Sequence, residues 1–334
     1  MGGAAASMGY SSEQRSNAEL TNCLRANFEN AIFDSMPNAD GDGHALVNGN
    51  GNGTAGGKEI TDNSVKKVNY TQWTSTFDHG KTVYVPATGY NSAPLQEERE
   101  QYDITLKLFY LPGMSPSRTE EQTREALNLV LKELKVQSID LLIISFPGIY
   151  FDEQTEDCPE KIKSRGPVET TPEPIDVQIE IWRTLERLHD EGLVLKLGLS
   201  EFGTERLQPF LEHTRIRPAV NQINLRDCCS VPKPLLSLAK TNSIELLVHN
   251  DCTNVLPRGT LRELLGRSED GAGVLASDGV KAGKKPKGRE GGEGDDGGIR
   301  GEVEPQWVIK YTAVVQNRGV VENKGYFAVA EVHG

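Results

Sequence analysis

Two acidic residues directly follow apolar runs of the kind that form buried strands. Glu201 comes after the run Val194–Leu199, and Asp251 comes after Ile244–His249. The carboxyl ends of parallel strands meet at one edge of a sheet, where α/β enzymes place their chemistry. The two carboxylates could therefore form a pair for acid–base work. Two positions among 48 Asp and Glu do not define such a pair, and solvated surface carboxylates are the favoured interpretation.

The cysteines allow two interpretations. Cys228 and Cys229 are adjacent, and the total of five is odd, with no C-x-x-C spacing or ligand-spaced His/Cys cluster. A disulfide framework and a structural metal site are therefore disfavoured. The adjacent pair is either two ordinary buried thiols or a redox-sensitive pair at a partner interface, with Cys252 as a third member.

Other catalytic classes lack their signatures in this chain. There is no G-x-S-x-G, H-E-x-x-H or P-loop, and no G-x-G-x-x-G opens a predicted helix. A net charge of −12 argues against nonspecific nucleic-acid binding. The first residues lack an apolar signal core, and no apolar run reaches membrane-spanning length. We expect a cytoplasmic protein with neither a nucleic-acid nor a membrane partner.

The apolar pattern from residue 103 onward alternates strands with helices. The predicted strands are Ile104–Tyr110, Ile139–Phe146, Val194–Leu199, Ala219–Leu225 and Ile244–His249. Amphipathic helical stripes lie between them, which predicts an α/β protein with parallel strands. Without a glycine-rich loop after the first strand, a closed (β/α)8 TIM-like barrel is favoured over a Rossmann fold. An incomplete or distorted barrel at the N-terminal strands stays open.

The remaining segments are assigned from composition and periodicity. Residues 1–64 are predicted to be weakly ordered, with a short helix at Glu19–Phe33 and a Gly/Asn-rich tract at Asn38–Gly57. Residues 65–267 and 302–334 are expected to form a single barrel, interrupted by a disordered low-complexity insertion at 268–301. Further predictions are a strand at Lys81–Val85, a helix at Gln306–Val315 and a last strand at Phe327–Val332.

Three segments resemble the aldo-keto reductase superfamily. They are SIDLLIISFPG at 138–148, GLVLKLGLSEF at 192–202 and AVNQINL at 219–225, which are similar in order and spacing to successive barrel strands of those NADP-dependent oxidoreductases. The resemblance implies carbonyl reduction with hydride from NADPH. In that chemistry a tyrosine donates the proton, a lysine lowers its pKa, an aspartate holds the lysine and a histidine orients the carbonyl.

Only one of those four catalytic groups is found at its expected position. Lys107, in ITLKLF, matches the family lysine, but Ser145 stands where the histidine is expected. The family's Asp and Tyr lie five residues apart, yet Asp78 is followed five later by Val83. The resemblance therefore predicts that this route to carbonyl reduction is lost. Alternatively, Lys107 is an ordinary strand lysine.

The cofactor positions implied by the resemblance are mixed. Gln222 matches the glutamine that holds the nicotinamide amide, and Ser200 matches a serine whose neighbouring asparagine is here Glu201. His249 replaces a tyrosine that stacks on nicotinamide, and Lys324 is what remains of an altered phosphate clamp. NADPH is expected not to be required, and its binding is disfavoured but left open. Gln222 and His249 also fit ordinary buried structural roles.

A closer resemblance is to the family of regulatory (modifier, light-chain) subunits of glutamate–cysteine ligase, a divergent branch of the reductases. It rests on NQINLRDCCSVPKPLLSLAK at 221–240, IELLVHND at 244–251 and WVIKYTAVVQNRGVVENKGY at 307–326. It implies a non-catalytic protein that forms a heterodimer with the ligase catalytic subunit in glutathione biosynthesis. Better use of glutamate and weaker feedback inhibition by glutathione would follow.

The partner-contact candidates come from the resemblance alone. They are Cys228, Cys229, Asn250, Asp251, Arg318, Lys324 and Tyr326. The rival hypothesis is an active NADP-dependent reductase that uses Lys107 with Tyr84 or Tyr90. A third is a barrel that only senses NADPH.

Overall fold

The computed structural model describes most of the chain. The described residues are 12–36, 68–89, 94–112, 114–151, 170–225, 231–251, 254–268, 270–276 and 297–334. The predictions for Tyr90, Cys228, Cys229 and Cys252 lie outside these ranges, as do those for residues 38–57 and most of 268–301.

The chain divides into two compact units. One comprises residues 24–89 and 262–300, and the other comprises 1–23, 90–261 and 301–334. The predicted domain boundaries stay a prediction.

The N-terminal part contains one long helix and one small hairpin. Helix α1 (Ser12–Ser35) contains the predicted helix at Glu19–Phe33 and extends it in both directions. Strands β1 (Ser75–Phe77) and β2 (Thr82–Tyr84) pair antiparallel. The predicted strand at Lys81–Val85 is thereby confirmed.

The larger unit contains a seven-stranded sheet. Its strands are β3 (Tyr102–Tyr110), β4 (Ile139–Ser145), β5 (Val194–Ser200), β6 (Val220–Ile223), β7 (Glu245–Val248), β8 (Glu302–Val315) and β9 (Val320–His333). Their order is β7-β6-β5-β4-β3-β8-β9. Strands β3 to β7 run parallel, because each connection contains a helix. The helices are α2 (Thr119–Leu134), α3 (Ile175–Asp190), α4 (Thr204–Glu212) and α5 (Lys233–Thr241), followed by the short α6 (Thr260–Leu265).

The α/β class with a parallel sheet is confirmed, and all five predicted parallel strands are present. Central positions such as Leu106, Ile143 and Leu199 are at most 1% exposed. These strands are covered on both faces, which explains why their sequences are continuously apolar. The predicted closure into a barrel is not seen. Within the described residues the sheet is open. A closed barrel would need a further parallel strand beside β3, but β8 pairs antiparallel with that edge.

The C-terminal helix prediction is wrong. Residues 306–315 lie in β8, which forms a long antiparallel hairpin with β9. The segment is rich in β-branched residues, including Val308, Ile309 and Thr312, and such residues favour a pleated surface over a helix. The predicted strand at Phe327–Val332 is confirmed as part of β9. Separately, no helix in the described part of the chain combines the length and apolarity needed to cross a bilayer.

The hairpin generates a stability prediction at Gly325. A Cβ built on Gly325 would lie 2.5 Å from Tyr311 Oη and 2.7 Å from its Cζ. The Tyr311 ring is in turn stacked with Phe327 at 6.0 Å. We therefore expect Gly325→Ala to lower the free energy of unfolding by about 1–3 kcal/mol, measured by urea titration.

The matched control is the same substitution combined with Tyr311→Leu. Removing the ring removes the clash, so Gly325→Ala should cost markedly less in that background. Equal effects in both backgrounds would contradict the steric explanation.

Candidate functional site

Two lysines from neighbouring strands share one carboxylate. Lys107 on β3 and Lys310 on β8 are directly paired across the sheet. Lys107 Nζ lies 3.1 Å from Asp251 Oδ2, and Lys310 Nζ lies 3.2 Å from Asp251 Oδ1. Each carboxylate oxygen thus takes one ammonium. Asp251 follows β7 in the chain, so this bridge links β3 and β8 to the carboxyl end of β7.

His249 extends the network toward β5. Its Nδ1 accepts a hydrogen bond from the Asp251 backbone N–H at 3.1 Å and lies 3.3 Å from Lys107 Nζ. Because Nδ1 accepts, the ring proton of neutral His249 is on Nε2. That nitrogen lies 2.6 Å from Glu201 Oε1 and 3.4 Å from Ser200 Oγ. The six charged or polar side chains therefore form one continuous network.

Glu201 is held in an unusual backbone conformation at the end of β5. Its φ of 69° is in the left-handed region, which is uncommon outside glycine. The second carboxylate oxygen, Oε2, accepts the backbone N–H of Phe151 at 2.7 Å. The strained turn thus directs a buried carboxylate between the loop after β4 and the His249 ring.

Burial and mutual charge together set the pKa values in this network. Burial lowers the pKa of Lys107, and Asp251 opposes that shift. Burial would raise the pKa of Asp251, but Lys107 and Lys310 outweigh it and hold the pKa at about 2. Burial favours the neutral form of Glu201, yet His249 and the Phe151 N–H keep its pKa below the ordinary value. The two carboxylates are therefore ionised at neutral pH.

The hairpin side of the network is partly exposed. Burial would lower the pKa of Lys310, but the Asp251 carboxylate outweighs this and raises it. Its ammonium lies 5.7 Å from the centre of the Tyr326 ring and 3.7 Å from Glu19 on α1. Burial raises the pKa of Tyr326 to about 12. Tyr326 is therefore a neutral phenol throughout the physiological range.

The structure brings five of the residues singled out in the sequence together and separates others. Lys107, Ser200, Glu201, His249 and Asp251 all belong to the network. The interpretation of Glu201 and Asp251 as solvated surface carboxylates is therefore wrong: their side chains are 5% and 18% exposed, because each is held by partners at the strand ends. Ser145 is buried at the end of β4 beside Phe109 in the sheet register. The other described candidates, Gln222, Asn250, Arg318 and Lys324, are outside the network's hydrogen bonds. Of these, Lys324 is 67% exposed and lies 3.7 Å from Glu19, and Arg318 is paired with Glu97.

Lys310 is the member that sequence reasoning missed. The predicted helix at Gln306–Val315 gives no reason for Lys310 to face Lys107. The β-branched residues around Lys310 are the signal for a strand, and on a strand Lys310 can lie beside Lys107.

The described surroundings of Lys107 differ from the reductase arrangement. In the described part of the chain the polar partners of its ammonium are His249 and Asp251, and no tyrosine hydroxyl is among them. The aspartate comes from the end of β7, whereas the resemblance placed it before β3. No group of His, Cys, Asp and Glu in the described ranges has an arrangement suited to a metal ion.

The residues present do not fit a dinucleotide well. Lys107 and Lys310 already share the Asp251 carboxylate, Lys310 also lies 3.7 Å from Glu19, and Glu201 adds a buried negative charge that would repel phosphates. His249 has a side chain only 9% exposed, which leaves little ring surface for stacking. One feature does fit: Gln222 Oε1 is buried without a hydrogen-bond partner, so it could accept from an amide.

Comparison with known proteins defines the family. The model of the Aldo/keto reductase family matches residues 87–269, more than half of the chain. The protein belongs to this family.

Within that class, the chain is most informatively compared with proteins named as regulatory subunits. It is 26% identical to the glutamate–cysteine ligase regulatory subunit of Mus musculus over 242 residues, covering 71% of this chain and 69% of that protein. It is 24% identical to a putative glutamate–cysteine ligase regulatory subunit of Schizosaccharomyces pombe, covering 70% and 72% respectively. An aldo-keto reductase of Arabidopsis thaliana is 31% identical, over 38% of this chain and 35% of that protein.

Solved structures give a partial match. The Bombyx mori aldo-keto reductase in complex with NADP is 24% identical with a TM-score of 0.30, covering 43% of this chain and 40% of that one.

The network predicts unequal effects of removing its charges. Asp251→Asn leaves buried Lys107 without a counter-charge, and we expect it to lower the free energy of unfolding by about 3–5 kcal/mol. Lys107→Met leaves Asp251 paired with Lys310, so the expected loss is within about 1 kcal/mol. Urea titration followed by circular dichroism measures both.

The double variant tests whether the two effects share a cause. In the Lys107→Met background, Asp251→Asn should cost at least about 1 kcal/mol less than in the wild type. Additive effects would show that Asp251 stabilises the fold without reference to Lys107.

The lowered pKa of Asp251 predicts an acid-sensitive contribution to stability. The folded value of about 2 lies below the ordinary 3.8, so the folded state binds this proton less readily. The contribution, about 2 kcal/mol, is present above pH ~4 and is lost as the pH falls toward ~2. The stability difference between the wild type and Asp251→Asn should shrink by this amount across that window. A constant difference would refute the assignment.

Proposed function

We propose that this protein is a non-catalytic regulatory subunit of glutamate–cysteine ligase. The observation that carries the proposal is the network at Lys107, where paired charges occupy the place that carbonyl chemistry would need. A general acid has to reach the substrate oxygen, and Lys107 has only Asp251 and His249 as polar partners in the described chain. The named relatives support the same assignment along about 70% of their length.

The proposed partner is the ligase catalytic subunit, and the proposed effect is a population shift. A protein that binds the active conformation of an enzyme more tightly shifts the enzyme toward it, by as much as the difference in affinity. We propose better glutamate use and weaker inhibition by glutathione as the outcome. The protein would need no NADPH for this, since both lysines of the network already have carboxylate partners, Asp251 for Lys107 and both Asp251 and Glu19 for Lys310.

The test is a reconstitution with purified proteins. The chain alone should form no γ-glutamylcysteine. Adding it in equimolar amount to the catalytic subunit of its source organism should lower the apparent KM for glutamate and raise the glutathione concentration needed for half inhibition. An unrelated acidic barrel protein of similar size serves as the control for crowding. Unchanged values of both constants, with complex formation checked by sedimentation, would reject the proposal.

The second candidate is an active NADP-dependent reductase, which family membership and the lysine at position 107 favour. It predicts steady NADPH oxidation with an aldehyde panel that disappears in Lys107→Met. We expect a flat absorbance trace at 340 nm for wild type and variant alike. Turnover that depends on Lys107 would replace the regulatory proposal with the enzymatic one.

A further inference from the structure

Strand β9 is a long edge that the described chain leaves unpaired on one side. It is the last strand in the sheet order, runs for 14 residues, and has no buried residue along its length. Natural sheets protect such edges with short strands, prolines, charges or bulges. The central stretch Gly325–Ala330, GYFAVA, has neither charge nor proline. The pairing of β9 with β8 has two irregularities, one near Val321–Asn323 and one at Val329–Ala330, so the register is regular from Asn323 to Val329.

The hydrogen-bonding phase of the sheet shows which groups face outward. Leu111 N–H donates to Gln306 O, and Gln316 N–H donates to Gln101 O. In this antiparallel register the even-numbered residues of β8 therefore bond toward β3. The odd-numbered residues of β8 consequently bond toward β9.

The same alternation continues into β9. Gly325 and Phe327 are opposite Tyr311 and Ile309, so their backbone groups turn toward β8. The backbone N–H and C=O groups of Lys324, Tyr326 and Ala328 consequently point to the open side. An extended peptide can replace the water on such a row of alternating donors and acceptors by adding to the sheet as a strand.

A second copy of this chain fits the edge poorly. Two-fold antiparallel pairing places one residue opposite itself, so even-numbered residues meet even-numbered ones. Lys324 then cannot face Glu331, and a pairing centred on Gly325–Ala330 contains no opposite-charge pair.

Charges at the two ends of the stretch indicate the chemistry of a better occupant. Lys324 lies at one end and Glu331 at the other, about 24 Å apart along the strand. Both have surface ion-pair partners, Glu19 and Arg118, and such pairs exchange at little cost. A complementary peptide has an apolar centre, an acidic residue facing Lys324 and a basic residue facing Glu331.

We propose that the outer edge of β9 is the docking site for an extended segment of the ligase catalytic subunit, which adds to the sheet as an eighth strand. This rests on the proposed function, because it names the surface through which that partner is held. Backbone hydrogen bonds from Lys324, Tyr326 and Ala328 supply the affinity. Tyr326 and Ala328 present apolar side chains on one face of β9, and Phe327 and Val329 present them on the other. Contacts with these side chains set the register of the added strand.

The test compares two variants at one position. Ala328→Pro removes an outward N–H that β8 does not use, and proline is tolerated at such edge positions. Ala328→Val keeps the N–H and is the matched control. In sedimentation with the purified catalytic subunit, we expect Ala328→Pro to weaken the Kd at least about tenfold and Ala328→Val to bind like the wild type. Equal binding by all three proteins would overturn the proposal.

Hydrogen exchange of the wild-type complex gives an answer that does not depend on the variants folding. The amides of Lys324, Tyr326 and Ala328 should become protected on binding, while those of Gly325 and Phe327 are protected beforehand. Outward amides that stay fast in the complex would overturn the docking site and leave the regulatory function standing. No binding by the wild type would overturn both. A free chain that dimerises in an Ala328→Pro-sensitive way would assign the edge to a second copy instead.

Discussion

The bridge of Asp251 between Lys107 and Lys310 is the interaction on which the site depends. Two ammonium groups on paired strands would repel each other in a low-dielectric interior, and the Asp251 carboxylate from the end of β7 lies between them with one oxygen toward each. Because Asp251 has to reach both lysines, β7 ends just before it and His249 is turned toward the network. It also fixes the register between β3 and β8, since a slip of one residue would move Lys310 to the opposite face of the sheet.

The same bridge explains why the site resembles a reductase in composition but not in arrangement. Lysine, aspartate and histidine are all present near one another. However, the aspartate and the histidine both come from the end of β7, and not from the positions that the reductase resemblance implies. They bond to each other, to Glu201 and to the lysines, so their donors and acceptors are used within the protein. A network of this kind stabilises one conformation of the strand ends.

The sequence was sufficient for the parallel half of the sheet and insufficient for the hairpin. Strands β3 to β7 are buried on both faces, so their apolar runs are short, continuous and bounded by helical stripes. Residues 306–315 were ambiguous because Trp307, Val308 and Tyr311 satisfy a helical period as well as a strand. A helix at these residues neither places Lys310 beside Lys107 nor makes β9 the edge of the sheet. Tertiary pairing with β3 decided the outcome, and that pairing joins residues about 200 positions apart.

The fold shared with aldo-keto reductases provides a parallel sheet, a buried ion network lies at its edge, and the hairpin presents a strand outward. These three features are the basis of the proposed regulatory role. The most direct measurement of the central claim is calorimetric titration of the purified chain with NADPH. The account predicts no saturable heat at concentrations up to the millimolar range. A micromolar Kd that is lost in Lys107→Met would contradict it, because the lysine would then serve a cofactor site and not a closed charge network.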